Sequence, residues 1–210
     1  MNLDFLFNRQ SVRKFKEDAV PTCDIKEMIK AASVAPSAKN VQNWHFVAVT
    51  QKDMINKIAK VVEDKNASLA EKITDEKMKT NFTKFLRFST FFKNAPCVIL
   101  VFTKDTYMPT GLDVLENINA SNEDIELLKR ANPAIQSIGS AIENLITAAT
   151  AMDYGTCWMT SQNYAGKEIA KAVDFSKDGY FLAATIPVGK LDGEAKSPKK
   201  KELDEILTII

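Results

Sequence analysis

Between residues 134 and 152 the chain reads AIQSIGSAIENLITAATAM. Ile135, Ile138, Ile142, Leu145, Ala149 and Met152 fall there at alternating spacings of three and four. That pattern is one stripe of a long α-helix. Gly139, Ser140, Ala141, Ala148 and Ala151 widen the apolar face. A helix apolar on more than one side is buried deeply or shared between chains. Either way it needs a layer to pack on, and the run CVILVFT (97–103) supplies one. Continuous, apolar and rich in β-branched residues, it reads as a central strand buried on both faces.

Other elements group around these two. WHFVAVT (44–50), YGTCWMT (154–160) and YFLAATIPVG (180–189) read as strands. Helices are expected over 2–8, from Thr22 or Asp24 through DIKEMIKAASVA, over QKDMINKIAKVV, over a Lys- and Phe-rich stretch at 75–93, and over AGKEIAKAV. In the second of these, Ile25, Met28, Ile29 and Ala32 share one face, and Thr22 is the candidate N-cap. Helices and strands alternate without strict βαβ regularity, and there is no internal repeat. Residues 1–210 therefore read as one α/β or α+β domain. The segment 107–133, with Pro109, Gly111 and Pro133, reads as an excursion or lid.

Several functions are disfavoured by composition. The formal net charge of +1 over 210 residues means that any anion site must come from local clustering. KSPKKK (196–201) is such a cluster, but no aromatics interleave with it, so nucleic acid is not an expected partner. The three cysteines, Cys23, Cys97 and Cys157, are widely spaced with no CxxC, which argues against a disulfide framework and a zinc site. MNLDFLFNRQ lacks a basic region followed by an apolar run, so no signal peptide is expected. No stretch of 18 uncharged apolar residues occurs, so no membrane span is expected. A cytoplasmic location follows as the expectation. His45 is the single histidine. GxGxxG, GxxxxGK[ST], GxSxG and HExxH are all missing. If the chain is an enzyme, a cofactor carries the chemistry and the protein binds and orients.

Four stretches are candidates for that binding. In RQSVRKF (9–15), Arg9, Ser11 and Arg13 point the same way if the segment is extended, and Arg9 and Arg13 share a face if it is helical. Two converging guanidiniums can clamp a phosphate; a solvated basic patch is the other reading. In APSAKNVQNWHF (35–46), Ser37, Asn40, Gln42 and Asn43 offer groups that donate and accept, suited to a heteroaromatic edge, or to an ordinary polar turn. In YGTCWMTS (154–161), small residues at a strand end let backbone N–H groups approach a flat ligand. Cys157 there reads as a buried, inert thiol. KSPKKK is the fourth, a cation cluster or a solvated tail.

Taken in order, these stretches resemble the nitroreductase family of FMN-dependent oxidoreductases. RQSVRKF is similar to the family's RxSxRxF, PSAKNVQNWHF to its PSxxNxQPWxF, IENLITAATAMDYGTCWMT to its long helix followed by GxGTCW, and IPVGK with the basic cluster to its C-terminal strand and phosphate positions. The resemblance implies an α+β fold with a mixed or antiparallel central sheet flanked by helices. It also implies a homodimer with FMN at the interface, the long helices packed across it and the C-terminal segments embracing the partner. It assigns Arg9, Gln10, Ser11 and Arg13 to the FMN phosphate, ribityl chain and ring edge. Pro36, Ser37 and Asn40, with Gln42 in the same loop, would come from the other subunit. The backbone near Met159, Thr160 and Ser161 would face flavin N5, and Lys199 and Lys201 would complete the phosphate grip. No side chain is assigned a catalytic role. NADH or NADPH would supply hydride and a nitroaromatic or quinone would accept the electrons in turn. A storage or sensing protein for FMN, or a flavoenzyme dedicated to dehalogenation or enone reduction, are the alternatives. The chain departs from the family with Asn43 in place of the proline of QPW, with DYGTCW, with Thr160 and Ser161 where many relatives have Gly-Gly, and with lysines rather than arginines at 199–201. The lid at 107–133 would line the substrate entrance.

Overall fold

The run CVILVFT is the buried strand it reads as. In the computed structural model, which describes residues 3–105, 108–195 and 197–210, β1 (Trp44–Val49) and β2 (Cys97–Lys104) are neighbours, followed by β4 (Tyr180–Gly189) and the short edge strand β3 (Gly155–Thr156). All three pairings are antiparallel, with Trp44 opposite Thr103 and Cys97 opposite Val188. Each residue of β2 from Cys97 to Thr103 is buried. Alternation along the strand divides the core in two. Cys97, Ile99 and Val101 pack with α2 (Thr22–Ser33) and α7 (Pro133–Ala151) on one face. Val98, Leu100 and Phe102 pack with α3 (Lys52–Ala70) and α8 (Gly166–Ala172) on the other. The fold is thus α+β, helices on both faces of an antiparallel sheet.

The long helix starts where its chemistry says it should. Pro133 takes the first position, and the Asn132 side chain accepts a bond from the Ile135 N–H at 3.1 Å. Its buried face is rotated from the expected stripe. Ala134, Ser137, Ala141 and Ile146 join Ile138, Ile142, Leu145 and Ala149 inside, whereas Ile135 is 44% exposed and Met152 lies beyond the last turn. Small residues let the helix sit close to the sheet and to α2, where Asn144 Nδ2 donates to Ala31 O at 3.1 Å. Thr22 is not the cap of α2: Pro21 occupies that position, no side chain caps it, and Thr22 is the first helical residue. The Lys- and Phe-rich stretch is α4 (Glu76–Thr90), capped by Asp75, whose side chain accepts from Met78 N at 2.7 Å.

The excursion is two short helices, α5 (Leu112–Asn117) and α6 (Asn122–Arg130), with Lys129 Nζ 4.0 Å from Glu116 Oε1. They enclose a cavity of about 480 Å³ with Asp105, Met108 and Pro133; Tyr107 lies outside the described residues. The C-terminal segment 197–210 is exposed throughout, and Ile209 is 86% exposed. Among the described residues no helix is long and apolar enough to cross a membrane.

Asn43 ties three elements together. Its Nδ2 donates to Thr103 Oγ1 (2.9 Å), Lys104 O (3.1 Å) and Ala134 O (3.2 Å), joining the start of β1, the end of β2 and the start of α7. Asn43→Ala leaves these buried acceptors without that donor and is expected to cost about 1–3 kcal/mol. The check is the midpoint of urea unfolding; an unchanged midpoint would contradict it.

Candidate functional site

Residues 9–15 are extended and add themselves to the sheet edge. Ser11 bridges Thr156 in parallel and Phe15 bridges Leu191, with Val12 N donating to Thr156 O at 2.8 Å. Gly155 makes this approach possible, because a Cβ there would lie 2.6 Å from Val12 Cγ2. Extension settles the directions of the side chains. Arg9, Ser11 and Arg13 lie on the side of Cys157, and Gln10 lies on the other. Burial pushes the Cys157 thiol above its ordinary pKa, and Arg13, a hydrogen bond with Ser11 and Arg9 pull it back only in part. The thiol therefore stays protonated and unreactive at neutral pH.

Arg13 opens onto a cavity of about 310 Å³, shared with Cys157, Met159, Thr160 and Ser161. Met159 exchanges both backbone bonds with Thr185 (3.1 and 2.9 Å), which fixes the path of the segment. Ser161 Oγ donates to Phe88 O at 3.2 Å and Ser89 Oγ to Ser161 O at 3.4 Å, which ties α4 to it. The far wall comes from Phe85, Phe88 and Phe91, with Trp158 beside them. These aromatics are absent from the expected site. The spacing of Phe82, Phe85 and Phe88 signals one helix face, but it reads the same whether that face is buried or open.

Among the described residues neither Arg9 nor Arg13 forms an ion pair, and the Arg13 guanidinium reaches only Ser11 O, at 3.4 Å. Gln10 is parted from them by strand alternation. It lines a different cavity, of about 550 Å³, with Asn8, Thr150 and Tyr154. Among the described residues its buried Oε1 has no hydrogen-bond partner.

The second candidate loop sits elsewhere. Ser37 Oγ accepts from Gln42 N at 3.1 Å, and Ala38 N donates to Ser137 Oγ at 3.0 Å, near the start of α7. Lys39, Asn40 and Gln42 adopt left-handed backbone, with φ of 51°, 53° and 49°. Pro36, Asn40 and Gln42 are exposed and Ser37 half-buried. None of them forms a wall of the cavity beside Arg13. Lys199 and Lys201 are solvent-exposed, and Lys199 is paired with Glu202 at 2.9 Å; Lys196 lies outside the described residues. The structure thus gathers Arg9, Ser11, Arg13 and Met159–Ser161 in one place. It leaves Gln10, the 36–42 loop and the lysines away from it. The α5–α6 excursion encloses its own cavity and lines no part of this one.

Known proteins resemble this chain in sequence and fold. A model of the Nitroreductase family matches residues 6–190. A BluB-like flavoprotein from Clostridium difficile 630 is 45% identical, with a TM-score of 0.90 over 100% of this chain and 99% of that one. Iodotyrosine deiodinase 1 from Pongo abelii is 32% identical over 219 residues, 99% of this chain and 68% of the relative. A nitroreductase with bound FMN from Bacteroides fragilis NCTC 9343 has the same fold, with a TM-score of 0.71 at 19% identity and 100% of both chains covered. The chain spans about a third of the length of the first curated relatives it matches, 33 to 35%. With the family match running from α1 (Asp4–Asn8) past the end of β4, and with a 45% identical flavoprotein superposing on the whole molecule, the chain belongs to the nitroreductase family.

Proposed function

We propose that the protein is an FMN-dependent oxidoreductase, a homodimer that takes hydride from NADH or NADPH and passes two electrons to a small organic acceptor. One observation carries the reading. Two guanidiniums without acidic partners among the described residues stand on either side of Ser11 on the Cys157 side of the strand, and Arg13 opens onto a cavity floored by the 157–161 segment. The residues present fit FMN. Arginines with no ion-pair partner among the described residues, together with Ser11, suit a phosphate, and the backbone around Met159, fixed by its two bonds to Thr185, suits the approach of a planar ring.

FMN, when bound, supplies the redox chemistry by accepting hydride at N5, so no side chain need act as acid, base or metal ligand. Arg9, Ser11 and Arg13 bind the anionic portion and fix its register against β3. A guanidinium of this pair that reached the ring edge instead would oppose negative charge on the reduced ring and so favour hydride acceptance. Met159–Ser161 orient the N5 side.

Dimerisation is supported by three surfaces: the apolar tail around Ile206 and Ile209, the exposed Ile135 flank of α7, and the 36–42 loop, which is shaped but stands clear of its own chain's cavity. In the dimer that loop, with Pro36, Ser37, Asn40 and Gln42, borders the partner's FMN, and Lys199 and Lys201 reach a phosphate only through the path the tail takes there. Three free thiols fit a cytoplasmic location.

The acceptor is a nitroaromatic, a quinone or a halogenated or enone compound. The 32% identity to a deiodinase over 99% of the chain favours keeping the halogenated class beside the nitroaromatic one. The test is the visible spectrum of the purified protein before and after anaerobic NADH or NADPH. Flavin bands that bleach are expected, and acceptor profiling then separates the classes. Bands that persist would mean storage or sensing, and a colourless protein that takes up no FMN would overturn the site.

A further inference from the structure

We propose that α4 is the acceptor-recognition element of this site, and that Phe85 and Phe88 form a stacking wall for a flat aromatic acceptor bearing negative charge. The proposal rests on the flavin reading above and names the substrate class of the same cavity.

Phe85 is 51% exposed and Phe88 43%, on a helix whose other exposed positions, Met78 apart, are charged or polar. Open rings on such a helix leave apolar area in water that packing would remove. The two rings are not scattered. Their centroids are 5.4 Å apart at 46°, and both line the cavity that holds Arg13 and Met159–Ser161. Trp158, 42% exposed, stands at the same cavity. A planar guest placed over the 159–161 segment therefore meets aromatic surface at its side, in the tilted and offset geometries that aromatic pairs favour.

The wall is fixed in position. Two hydrogen bonds, Ser161 Oγ to Phe88 O and Ser89 Oγ to Ser161 O, lock α4 to the segment that faces the reacting ring. A wall already in place loses little freedom on binding, which favours affinity. Arg87 adds a sign preference. Its guanidinium lies 4.6 Å from the Phe88 ring centroid, so the wall itself carries a cation that the FMN-holding residues do not share. A carboxylate or phenolate on the acceptor is favoured there over an ammonium. The α5–α6 excursion, the expected seat of specificity, encloses a separate cavity with no wall in common.

The experiment compares wild type with Phe85→Ala/Phe88→Ala and with Phe88→Leu, which keeps the bulk and removes the ring. Acceptors are 4-nitrobenzoate and ferricyanide, which takes electrons without stacking. Binding is read separately, by titrating the oxidised protein with non-reducible 4-hydroxybenzoate and following the flavin bands. The ratio of kcat/KM for 4-nitrobenzoate to that for ferricyanide is expected to fall about tenfold in the double variant and several-fold in Phe88→Leu, and 4-hydroxybenzoate binding is expected to weaken in parallel. A ratio that stays constant, including equal loss with both acceptors, would overturn the proposal. If the purified protein carries no flavin, quenching of Trp158 fluorescence by 4-nitrobenzoate, corrected with Trp158→Phe, reads the wall alone. Quenching that weakens in the double variant would uphold the wall while the flavin reading fails, and unchanged quenching would overturn the wall too.

Discussion

Arg13→Ala is expected to yield a folded protein that purifies without yellow colour, and Arg9→Ala to do the same. Each guanidinium is placed to make charge-assisted bonds to an anion, worth roughly 1.5–3 kcal/mol. At about 1.4 kcal/mol per tenfold, each loss weakens FMN binding by roughly 10- to 150-fold. Neither side chain contributes to the folded core: Arg13 is exposed, Arg9 is half-buried, and neither forms an ion pair among the described residues. The urea midpoint should therefore barely move while the flavin is lost, which separates a binding role from a structural one. Arg13→Lys should fall between, because an ammonium keeps the charge but cannot present the paired fork. Lys199→Ala should cost less than either arginine, since that ammonium is solvated and already faces Glu202. Equilibrium dialysis of FMN against each variant makes the comparison. Stoichiometric flavin in both alanine variants would remove the arginines from the site.

The legibility of these features differs for physical reasons. β2 could be read because a strand covered on both faces leaves a continuous apolar run, and α7 because its apolar period runs long; that Asn132 and Pro133 open this helix instead of closing the excursion is seen only in the structure. The buried face of α7 is broader than the sequence stripe, which weights bulky residues. Close packing on the sheet instead selects the small ones, so Ala134 is inside and Ile135 is outside. The grouping of Arg9, Ser11 and Arg13 could be read because alternation places them together in an extended segment, and the same alternation turns Gln10 into the opposite cavity. Gly155 is legible only in hindsight: its lack of a side chain matters because Val12 stands where a Cβ would go. The aromatic wall of α4 was not legible, since exposure is decided by what the helix does not pack against. The path of the C-terminal lysines was not legible either, because a charge cluster shows that cations are present and not where the chain carries them.

Two variants that each fail alone are expected to complement one another when mixed, if the site is built from two chains. Asn40 sits at φ 53°, a conformation that aspartate tolerates about as well as asparagine. Its Oδ1 accepts from Gln42 Nε2 at 3.2 Å, a bond the carboxylate keeps. Asn40→Asp thus preserves the loop while setting a negative charge where FMN would lie, and FMN binding should weaken by roughly tenfold or more at the low dielectric of an interface. The Arg13→Ala homodimer has two sites without the clamp, and the Asn40→Asp homodimer two sites with the repelling loop. The cavity beside Arg13 has no wall from residues 36–42 of its own chain, and that loop is held at Ser137 instead. If the loop serves the partner's cavity, a mixed dimer holds one site with both defects and one with neither. Random re-association of equal amounts makes half the dimers mixed, so about a quarter of all sites should bind FMN with wild-type affinity. If the loop served its own chain's cavity, each site in a mixed dimer would still carry one defect and no tight sites would return. The tight-binding fraction in an FMN titration of the mixture therefore reads out whose loop completes whose clamp.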